Sequence, residues 1–254
     1  MKDEELLRYS RHILLPQIDI EGQERIKNSK VVLVGLGGLG SVISMYLASS
    51  GVGEMVLIDH DEIEISNLQR QILFKTENIG DKKALVAKWA LQKLNPHNKI
   101  EAFVGKIQSA KSNAIIQNAD IYLDASDNFE TRFFLNELSL LNKVPLVSGA
   151  AVRLEGQVSV FNLNSNSPCY QCLFDSSAIG SEQNCSTNGV LSPLLGVIGS
   201  MQAIEALKII GNFGDSLDGR LMIFDSKTVS WNSLKLKKDP ECVMCQPSKK
   251  KSQA

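Results

Sequence analysis

The sequence predicts an α/β protein with a doubly wound, Rossmann-like, mostly parallel sheet that antiparallel strands extend. The first observation is the unit over residues 30–59, where an apolar strand, a glycine-rich turn, an apolar helix and a second apolar strand follow one another. The second is the alternation of strands and helices up to about residue 147, which is typical of parallel sheets. The third is that segments after residue 149 alternate apolar and polar residues, which indicates antiparallel strands.

Length and composition are those of an ordinary globular protein. The 254 residues are 43% hydrophobic and 22% charged, with a formal net charge of -1, which gives no reason to expect a nucleic-acid partner. No apolar signal segment follows the first methionine, and the longest apolar stretch, 190–210, contains a glutamate and a lysine. We interpret that stretch as a buried or dimer-facing helix. We therefore expect a cytoplasmic protein that binds neither nucleic acid nor a membrane.

The predicted elements fall into four segments. These are N-terminal helices over 1–29, a nucleotide-binding unit over 30–150, an antiparallel extension with a crossover loop and zinc site of the same domain over 151–247, and a flexible tail over 248–254. The predicted strands are 31–34, 55–58, 100–104, 119–123, 144–147, 156–162, 220–224 and 228–236. The predicted helices are 3–15, 20–28, the glycine turn to about 50, 80–94, 109–118, 128–142 and 193–211.

Three glycines after the first strand have dinucleotide-binding spacing: Gly35, Gly37 and Gly40. In that motif the first glycine permits a tight turn, the second lets backbone approach a phosphate, and the third lets helix and strand pack closely. Amides at the helix start would bind the anion, and Asp59 at the end of the next strand would accept hydrogen bonds from a ribose. The alternative is a glycine turn that only packs well.

Polar side chains that could complete a nucleotide site follow the carboxyl ends of several strands, namely Asn67, Arg70, Lys83, Asp127 and Asn128. These strand ends meet at one edge of a doubly wound sheet. Two cations and a carboxylate able to hold magnesium suit phosphate-transfer chemistry, in which charge develops on the leaving pyrophosphate. Hydride transfer needs no such cluster. The alternative for the two cations is a pair of solvated charges.

Four of the five cysteines form two Cys-x-x-Cys pairs, Cys169 with Cys172 and Cys242 with Cys245. The two-residue gap lets both thiolates face one ion, and four thiolates complete the tetrahedral shell of structural zinc. Thiol redox chemistry and plain buried cysteines are the alternatives. Cys185 is left over in a polar loop, where it is either an incidental thiol or a nucleophile.

The sequence resembles the MoeB/ThiF/HesA family, bacterial relatives of the ubiquitin-activating enzymes, from about residue 7 to residue 245. The resemblance is carried by Arg8-Tyr9-Ser10-Arg11, the glycine turn 35–40, Ser66-Asn67-Leu68-Gln69-Arg70-Gln71, Asp127-Asn128, Ser148-Gly149-Ala150-Ala151, residues 189–196 and both cysteine pairs. It implies ATP-dependent adenylation of the C-terminal Gly-Gly carboxylate of a small ubiquitin-like sulfur carrier protein, with release of pyrophosphate. The activated carrier would then receive sulfur in thiamine or molybdenum cofactor biosynthesis.

The resemblance also implies roles for individual residues. The implied ATP-binding residues are Gly35, Gly37, Gly38, Gly40, Asp59, Ser66, Asn67, Arg70, Lys83, Asp127 and Asn128. Among them Asn67, Arg70 and Lys83 would neutralise the triphosphate, and Asp127 would hold magnesium. Family members are homodimers in which the N-terminal arginine reaches the partner's ATP, so Arg11 would act in trans. The four paired cysteines match the family's structural zinc.

The motifs leave the pathway open. Residues 184–187 resemble the loop of thiamine-pathway members, where the cysteine at the position of Cys185 can take part in sulfur transfer, whereas residues 148–157 are closer to molybdopterin-pathway members. The chain ends soon after Cys245, so we expect no rhodanese domain and a separate sulfur donor, such as a cysteine desulfurase or a rhodanese. Two other functions are weighed: a non-catalytic, zinc-stabilised scaffold that binds a carrier, and a nicotinamide-dependent oxidoreductase.

Overall fold

The computed structural model describes residues 1–109, 115–175 and 188–246. Its helices are α1 Asp3–Arg8, α2 Ser10–Ile13, α3 Asp19–Asn28, α4 Gly38–Ser49, α5 Lys83–Leu94, α6 Phe129–Asn142 and α7 Ser192–Gly211. Its strands are β1 Lys30–Val34, β2 Glu54–Asp59, β3 Lys99–Val104, β4 Ile121–Asp124, β5 Leu146–Val152, β6 Glu155–Phe161, β7 Arg220–Asp225 and β8 Ser230–Lys235. Short 3-10 turns lie at Ile65–Asn67, Thr76–Asn78 and Tyr170–Cys172.

These strands form one mixed sheet in the order β3-β2-β1-β4-β5-β6-β7-β8. Strands β1 to β5 pair in parallel, and β5 to β8 pair antiparallel. The predicted doubly wound sheet with an antiparallel extension is therefore confirmed. The strand order reverses between β1 and β4, and in such sheets ligands bind in the crevice outside the carboxyl ends of the strands at that point.

The central strand β1 is held between two apolar cores. Val31 and Leu33 pack on the side covered by α4, α5 and α7, whereas Val32 and Val34 pack on the side of α6. Full burial of one such side chain contributes about 1.5–3 kcal/mol, so alternate residues of β1 fasten it to both layers. The turn after Val34 therefore starts from a fixed position.

Helix α7 is long and apolar enough to cross a membrane, judged by length and composition only. Among the described residues no other helix meets these two criteria. Two of its polar side chains form hydrogen bonds inside the protein. Gln202 donates to the Asp124 carbonyl oxygen at 2.7 Å, and the buried carboxylate of Glu205 accepts from the Leu217 N–H at 2.7 Å. The helix packs against α4, β5 and β6. Half of this helix is buried inside the chain, as one of the two predicted alternatives requires, and a dimer-facing role for its exposed face stays a prediction.

Strand β5 runs five residues beyond its predicted end and includes Ser148, Gly149 and Ala150. Glycine and alanine are depleted in strands, which is why local propensity suggests a turn here. The hydroxyl of Ser148 donates to the Asp124 carboxylate at 2.6 Å, and the whole strand pairs with β6. Contacts between distant parts of the chain therefore outweigh the local preference.

The N-terminal segment contains three helices where two are predicted. The break lies at Tyr9, whose buried hydroxyl accepts a hydrogen bond from Asn95 Nδ2 at 2.8 Å. This contact fixes the start of α2, and with it Arg11, relative to the body of the protein. Residues 110–114 of the helix predicted over 109–118 lie outside the described residues.

Candidate active site

The glycine turn joins β1 to α4 with very little space around it. Gly35 has φ +91°, and a β-carbon there would lie 2.6 Å from the carbonyl oxygen of Ala125. A β-carbon on Gly40 would collide with the carbonyl oxygen of Gly35. Gly37 is different, because its nearest neighbour would be the side-chain amide of Gln71 at 3.7 Å. Two glycines are thus required by packing, and the third leaves the backbone open to a ligand.

A cavity of about 1100 Å³ opens beside this turn, at the carboxyl ends of β1, β2 and β4. Among the residues predicted from the sequence, its lining includes Gly35, Gly37, Gly38, Asp59, Asn67, Arg70, Lys83, Asp127 and Asn128. Small-molecule sites usually measure about 300–1,000 Å³. The cavity continues along the antiparallel strands past Ala150, Gln157 and Ile223. It can therefore accommodate a nucleotide together with part of a second substrate.

Three described residues that were predicted for the nucleotide site, Gly40, Ser66 and Arg11, are not part of that lining. Ser66 donates its hydroxyl hydrogen to the Glu64 carboxylate at 3.1 Å, and Gly40 is buried in the first turn of α4. Arg11 is exposed on α2, outside the cavity lining. Cys185 lies outside the described residues.

Asp59 fastens the glycine turn to the loop after β2. Its Oδ2 accepts the N–H of Leu36 at 2.7 Å, and its Oδ1 accepts the N–H of Asp61 at 2.8 Å. Burial raises the pKa of Asp59 above the ordinary value for aspartate, although both hydrogen bonds and Lys83 act in the opposite direction. The Asp59 carboxylate thus lines the cavity while it accepts hydrogen bonds from two backbone amides.

The two predicted cations, Lys83 and Arg70, reach the same cavity from different elements, and Lys106 and Arg132 also line it. Lys83 is the first residue of α5, its side chain is only 6% exposed, and its Nζ lies 3.0 Å from the Asp61 carboxylate. Arg70 donates from Nη1 to the carbonyl oxygen of Ser66 at 3.0 Å. The nearby side chain of Asn67 is buried. Positive charges held beside a glycine turn are suited to binding a polyphosphate.

The sequence reasoning missed Gln71, a buried residue of the cavity lining. Its Oε1 has no hydrogen-bond partner among the described residues. Buried polar groups are nearly always paired, so an unpaired acceptor beside a cavity is typical of a ligand site. The available signal was its place at the end of the polar run 66–71.

The sequence reasoning also missed a buried polar cluster beneath Asp127. Asp124 is fully buried and accepts hydrogen bonds from the hydroxyls of Ser126 and Ser148, both at 2.6 Å. The Nε of Arg132 lies 3.8 Å from the same carboxylate. This cluster holds the loop that presents Asp127 to the cavity.

The paired cysteines converge on one point. Their sulfur atoms are separated by 3.7 Å between Cys169 and Cys242, 3.8 Å between Cys169 and Cys172, and 3.6 Å between Cys172 and Cys245. All four are free thiols. Zn–S bonds of about 2.3 Å in a tetrahedron give S···S separations of about 3.8 Å, so the residues fit zinc. Hydrogen bonding with Cys169 lowers the pKa of Cys172 to about 5, whereas hydrogen bonding and burial raise the pKa values of Cys169 and Cys245, as expected for thiols that share one site.

Comparison with known proteins agrees with this geometry. The sequence model of the ThiF family matches residues 9–244. The molybdopterin-synthase adenylyltransferase of Escherichia coli (strain K12) is 43% identical over 248 residues, which cover 96% of this chain and 98% of that protein. The sulfur carrier protein adenylyltransferase of Thermus thermophilus is 42% identical over 247 residues, with 95% of this chain and 91% of that protein covered.

Among solved structures, the crystal structure of E. coli MccB with ATP superimposes with a TM-score of 0.83 at 26% identity, and the match covers 94% of this chain and 73% of that one. The family match spans nearly the whole chain, and it includes the glycine turn, the polar loop and three of the four paired cysteines. This chain is therefore a member of the ThiF family.

Proposed function

We propose that this protein is an adenylyltransferase that transfers AMP from ATP to the C-terminal Gly-Gly carboxylate of a small ubiquitin-like sulfur carrier protein and releases pyrophosphate. The observation that carries the proposal is one cavity lined by the glycine turn, Asp59, the predicted cations Arg70 and Lys83, and Asp127. Its long extension along β5, β6 and β7 suits a second substrate that enters as an extended peptide. The relatives named above are adenylyltransferases.

Positioning does most of the chemical work in this mechanism. A carrier carboxylate oxygen attacks the α-phosphorus of ATP, a new P–O bond forms, and the bond to the oxygen that bridges to the β-phosphate breaks. The carboxylate is already ionised at neutral pH, so no side chain of the protein has to remove a proton. The amides of the glycine turn and Asp59 would hold the nucleotide, while Arg70 and Lys83 would stabilise the negative charge that develops on the pyrophosphate.

Two metals belong to this proposal. Asn128 Oδ1 caps α6 by accepting the Thr131 N–H at 2.9 Å, which leaves the exposed Asp127 carboxylate as the group that would hold magnesium. When bound, magnesium would neutralise phosphate charge. The four-cysteine cluster would hold zinc with no open position, so the zinc would be structural.

Pyrophosphate exchange into ATP by the purified protein tests this function. Thiamine-type and molybdopterin-type carriers of its own organism are supplied separately. Exchange with one carrier alone would establish the chemistry and select the pathway together. Absence of exchange with every candidate carrier would contradict the proposal, and carrier binding that does not respond to ATP would favour the scaffold function instead.

The raised pKa of Asp59 predicts an acid limit to ATP use. An ordinary aspartate has a pKa of about 3.9. Because the pKa of Asp59 is raised, acidification protonates Asp59 at a higher pH than an ordinary aspartate. The neutral carboxyl would accept fewer hydrogen bonds from ribose, so the KM for ATP should increase as the pH falls. Asp59→Asn should raise this KM at about pH 8 and flatten its pH dependence. Asp81→Asn, an exposed aspartate outside the cavity lining, should keep the wild-type profile.

We further propose a homodimer in which Arg11 completes the partner's site. Arg11 does not line the cavity of its own chain, and the buried Tyr9 beside it holds α2 in place. An arginine presented by the partner subunit would supply the additional positive charge that phosphoryl transfer uses.

Mixing two inactive variants tests this arrangement. Arg11→Ala and Lys83→Ala should each be inactive alone, whereas random dimers of the two should recover about a quarter of the wild-type sites, because each mixed dimer contains one intact site. The measurement is carrier-dependent exchange after the variants are mixed and allowed to re-assemble. Recovery indistinguishable from zero, with subunit exchange shown by mass spectrometry, would place Arg11 in its own subunit's site or outside catalysis.

The sulfur donor is proposed to be a separate protein. Participation of Cys185 in sulfur transfer stays a prediction, and we expect Cys185→Ala to adenylate its carrier normally because AMP transfer uses no thiol.

A further inference from the structure

Arg11 is exposed on α2, a helix of four residues, Ser10–Ile13. Its guanidinium forms no hydrogen bond or ion pair with any residue that the structure describes. Isolated helices shorter than about 12 residues are marginal in water, so α2 does not keep its place by itself. The position of the Arg11 side chain therefore depends on what holds the two ends of α2.

The first anchor is Tyr9, which directly precedes α2 and is buried. Its hydroxyl accepts a hydrogen bond from Asn95 Nδ2 at 2.8 Å, and Asn95 Nδ2 also donates to the carbonyl oxygen of Ala48 at 2.8 Å. The ring lies against Gly51, where a β-carbon would lie 2.5 Å from the ring. Asn95 directly follows α5, and Ala48 lies in the last turn of α4. Tyr9 thus fastens the start of α2 to the ends of both helices.

The second anchor is His12, the residue after Arg11. Its Nδ1 lies 3.1 Å from Oε1 of Gln23, which is fully buried on α3. Gln23 Nε2 donates to the carbonyl oxygen of Ser50 at 2.8 Å. Because the amide nitrogen is used in this way, the amide oxygen is the atom left to accept, and His12 donates to it from Nδ1. Ser50 directly follows α4, so Arg11 lies between two residues that are fastened to the same end of that helix.

Helix α4 connects these anchors to the glycine turn. It begins at Gly38, which lines the cavity, and it ends next to the carbonyl that binds Gln23. Its 12 residues span about 18 Å, and it packs against α5 and α7. The helix therefore fixes the separation between the glycine turn and Arg11 of one subunit. In a dimer with two-fold symmetry the same separation recurs in the partner.

We infer that Tyr9 and His12, with their buried partners Asn95 and Gln23, are positioning residues that hold Arg11 in place for the adenylation site of the partner subunit. The inference rests on the proposed function and the proposed homodimer. A cation that is already in place stabilises developing charge without reorganisation during the reaction. Because misplacement by about 1 Å can lower a rate by about 10²-fold, these anchors affect turnover although none of the four residues lines the cavity.

Tyr9→Phe tests the inference, because it removes the hydroxyl that accepts from Asn95 and keeps the ring against Gly51. We expect amide hydrogen exchange over residues 9–15 to accelerate several-fold. The kcat of carrier-dependent pyrophosphate exchange should fall about tenfold, with the KM for ATP within about twofold of wild type, as for an interaction made mainly in the transition state. His12→Ala removes the second anchor and should show the same two changes, which keeps the inference testable if Tyr9→Phe does not fold.

Two mixed dimers that carry the same substitutions reveal which site the anchor serves. Each contains one Lys83→Ala subunit, so its single active site is in the subunit that keeps Lys83, and a different affinity tag on each subunit allows purification. In the first dimer Tyr9→Phe is on the subunit that keeps Lys83, and Arg11 comes from a partner with an intact anchor. In the second dimer Tyr9→Phe is on the Lys83→Ala subunit, which supplies Arg11. We expect the second dimer to be about tenfold less active than the first.

The matched control is Tyr122→Phe. Tyr122 is also buried, and its hydroxyl accepts from Asn142 Nδ2 at 2.8 Å, but it lies on β4 in the core on the α6 side of the sheet. Tyr122→Phe should leave amide exchange over residues 9–15 and the kcat unchanged. Arg11→Ala in the same two arrangements is the reference for action in trans, and it should abolish activity only when the substituted subunit is the one that supplies Arg11.

Three outcomes would overturn the inference. Unchanged amide exchange over residues 9–15 in both Tyr9→Phe and His12→Ala would show that the anchors do not place α2. Equal activity of the two Tyr9→Phe mixed dimers, while those of Arg11→Ala differ, would show that the hydroxyl does not serve the partner's site. Equal effects of Tyr9→Phe and Tyr122→Phe would reduce Tyr9 to a general packing role.

Failure of the proposed function gives a different result. If the wild type catalyses no exchange with any carrier, the proposed function fails, and amide exchange alone decides whether the anchors place α2. If exchange occurs but Arg11→Ala has the same effect in both arrangements, the proposed action in trans fails and the inference fails with it.

Discussion

Lys83→Ala is expected to lower carrier-dependent pyrophosphate exchange by about 10³-fold, in the upper range for removal of one preorganised group that stabilises transition-state charge. The lysine Nζ is held in the cavity lining by one ion pair, at 3.0 Å from Asp61, and its side chain is almost fully shielded from water. A charge in such a site interacts strongly with the departing pyrophosphate, because little solvent screens it. Loss of the ammonium should therefore reduce kcat more than it raises the KM for ATP.

Lys82→Ala is the matched control. Lys82 is the adjacent residue, but its side chain is 41% exposed and pairs with Glu62 at 2.9 Å. It should retain most of the activity. Both variants should melt close to wild type, since Asp61 is 49% exposed and loss of a partly exposed pair costs about 1 kcal/mol or less. Equal activity of Lys83→Ala and Lys82→Ala would remove Lys83 from the catalytic group.

The parts of the fold that the sequence predicts well are those with strong local signals. The run over residues 31–34 is apolar on both faces, and both faces of β1 are buried. The glycine spacing follows from steric demands within a few residues, and Gly35 and Gly40 meet those demands. Cysteine spacing is equally local, because each pair needs only two intervening residues to place both thiols on one side.

The parts that the sequence could not predict depend on contacts between distant residues. Ser148 is predicted to follow the end of a strand, yet its hydroxyl satisfies Asp124, 24 positions earlier in the chain. Arg132 has the local sequence of a solvated charge in a helix, because nothing near it indicates the buried carboxylate. Buried polar groups of this kind gain their partners only when the sheet is assembled, so periodicity does not reveal them.

The cavity illustrates the same division. Asp59, Lys83 and Asp127 could be assigned to one edge from the sheet topology alone, since each follows the carboxyl end of a parallel strand. The same reasoning could not tell that Ser66 would lie outside the lining while Gln71 would lie within it. That distinction depends on the path of the 3-10 turn over Ile65–Asn67, which spacing does not specify.

Cys172→Ser is expected to release the metal and to lower the melting temperature by roughly 6–12 °C, if loss of the closed shell costs about 3 kcal/mol. Among the described contacts, the segment around Cys242 and Cys245 is joined to the body of the protein chiefly by the sulfur cluster. Val243 between them is more than half exposed, so apolar packing offers little replacement. A serine hydroxyl binds zinc poorly, and three remaining thiolates leave the shell open.

The test compares zinc content per chain and thermal unfolding of Cys172→Ser, Cys185→Ser and wild type. Cys185 belongs to neither Cys-x-x-Cys pair of the sequence, so Cys185→Ser makes the same chemical change at an unpaired position and should retain about one zinc per chain. A chelator should shift wild type toward the melting temperature of Cys172→Ser and leave that variant nearly unchanged, because the two treatments remove the same ion. If Cys172→Ser keeps its metal and its melting temperature, the four cysteines are buried thiols and not a zinc shell. If the wild type instead loses thermal stability in a way that a disulfide reductant reverses and zinc does not, the cluster would be assigned to thiol redox chemistry.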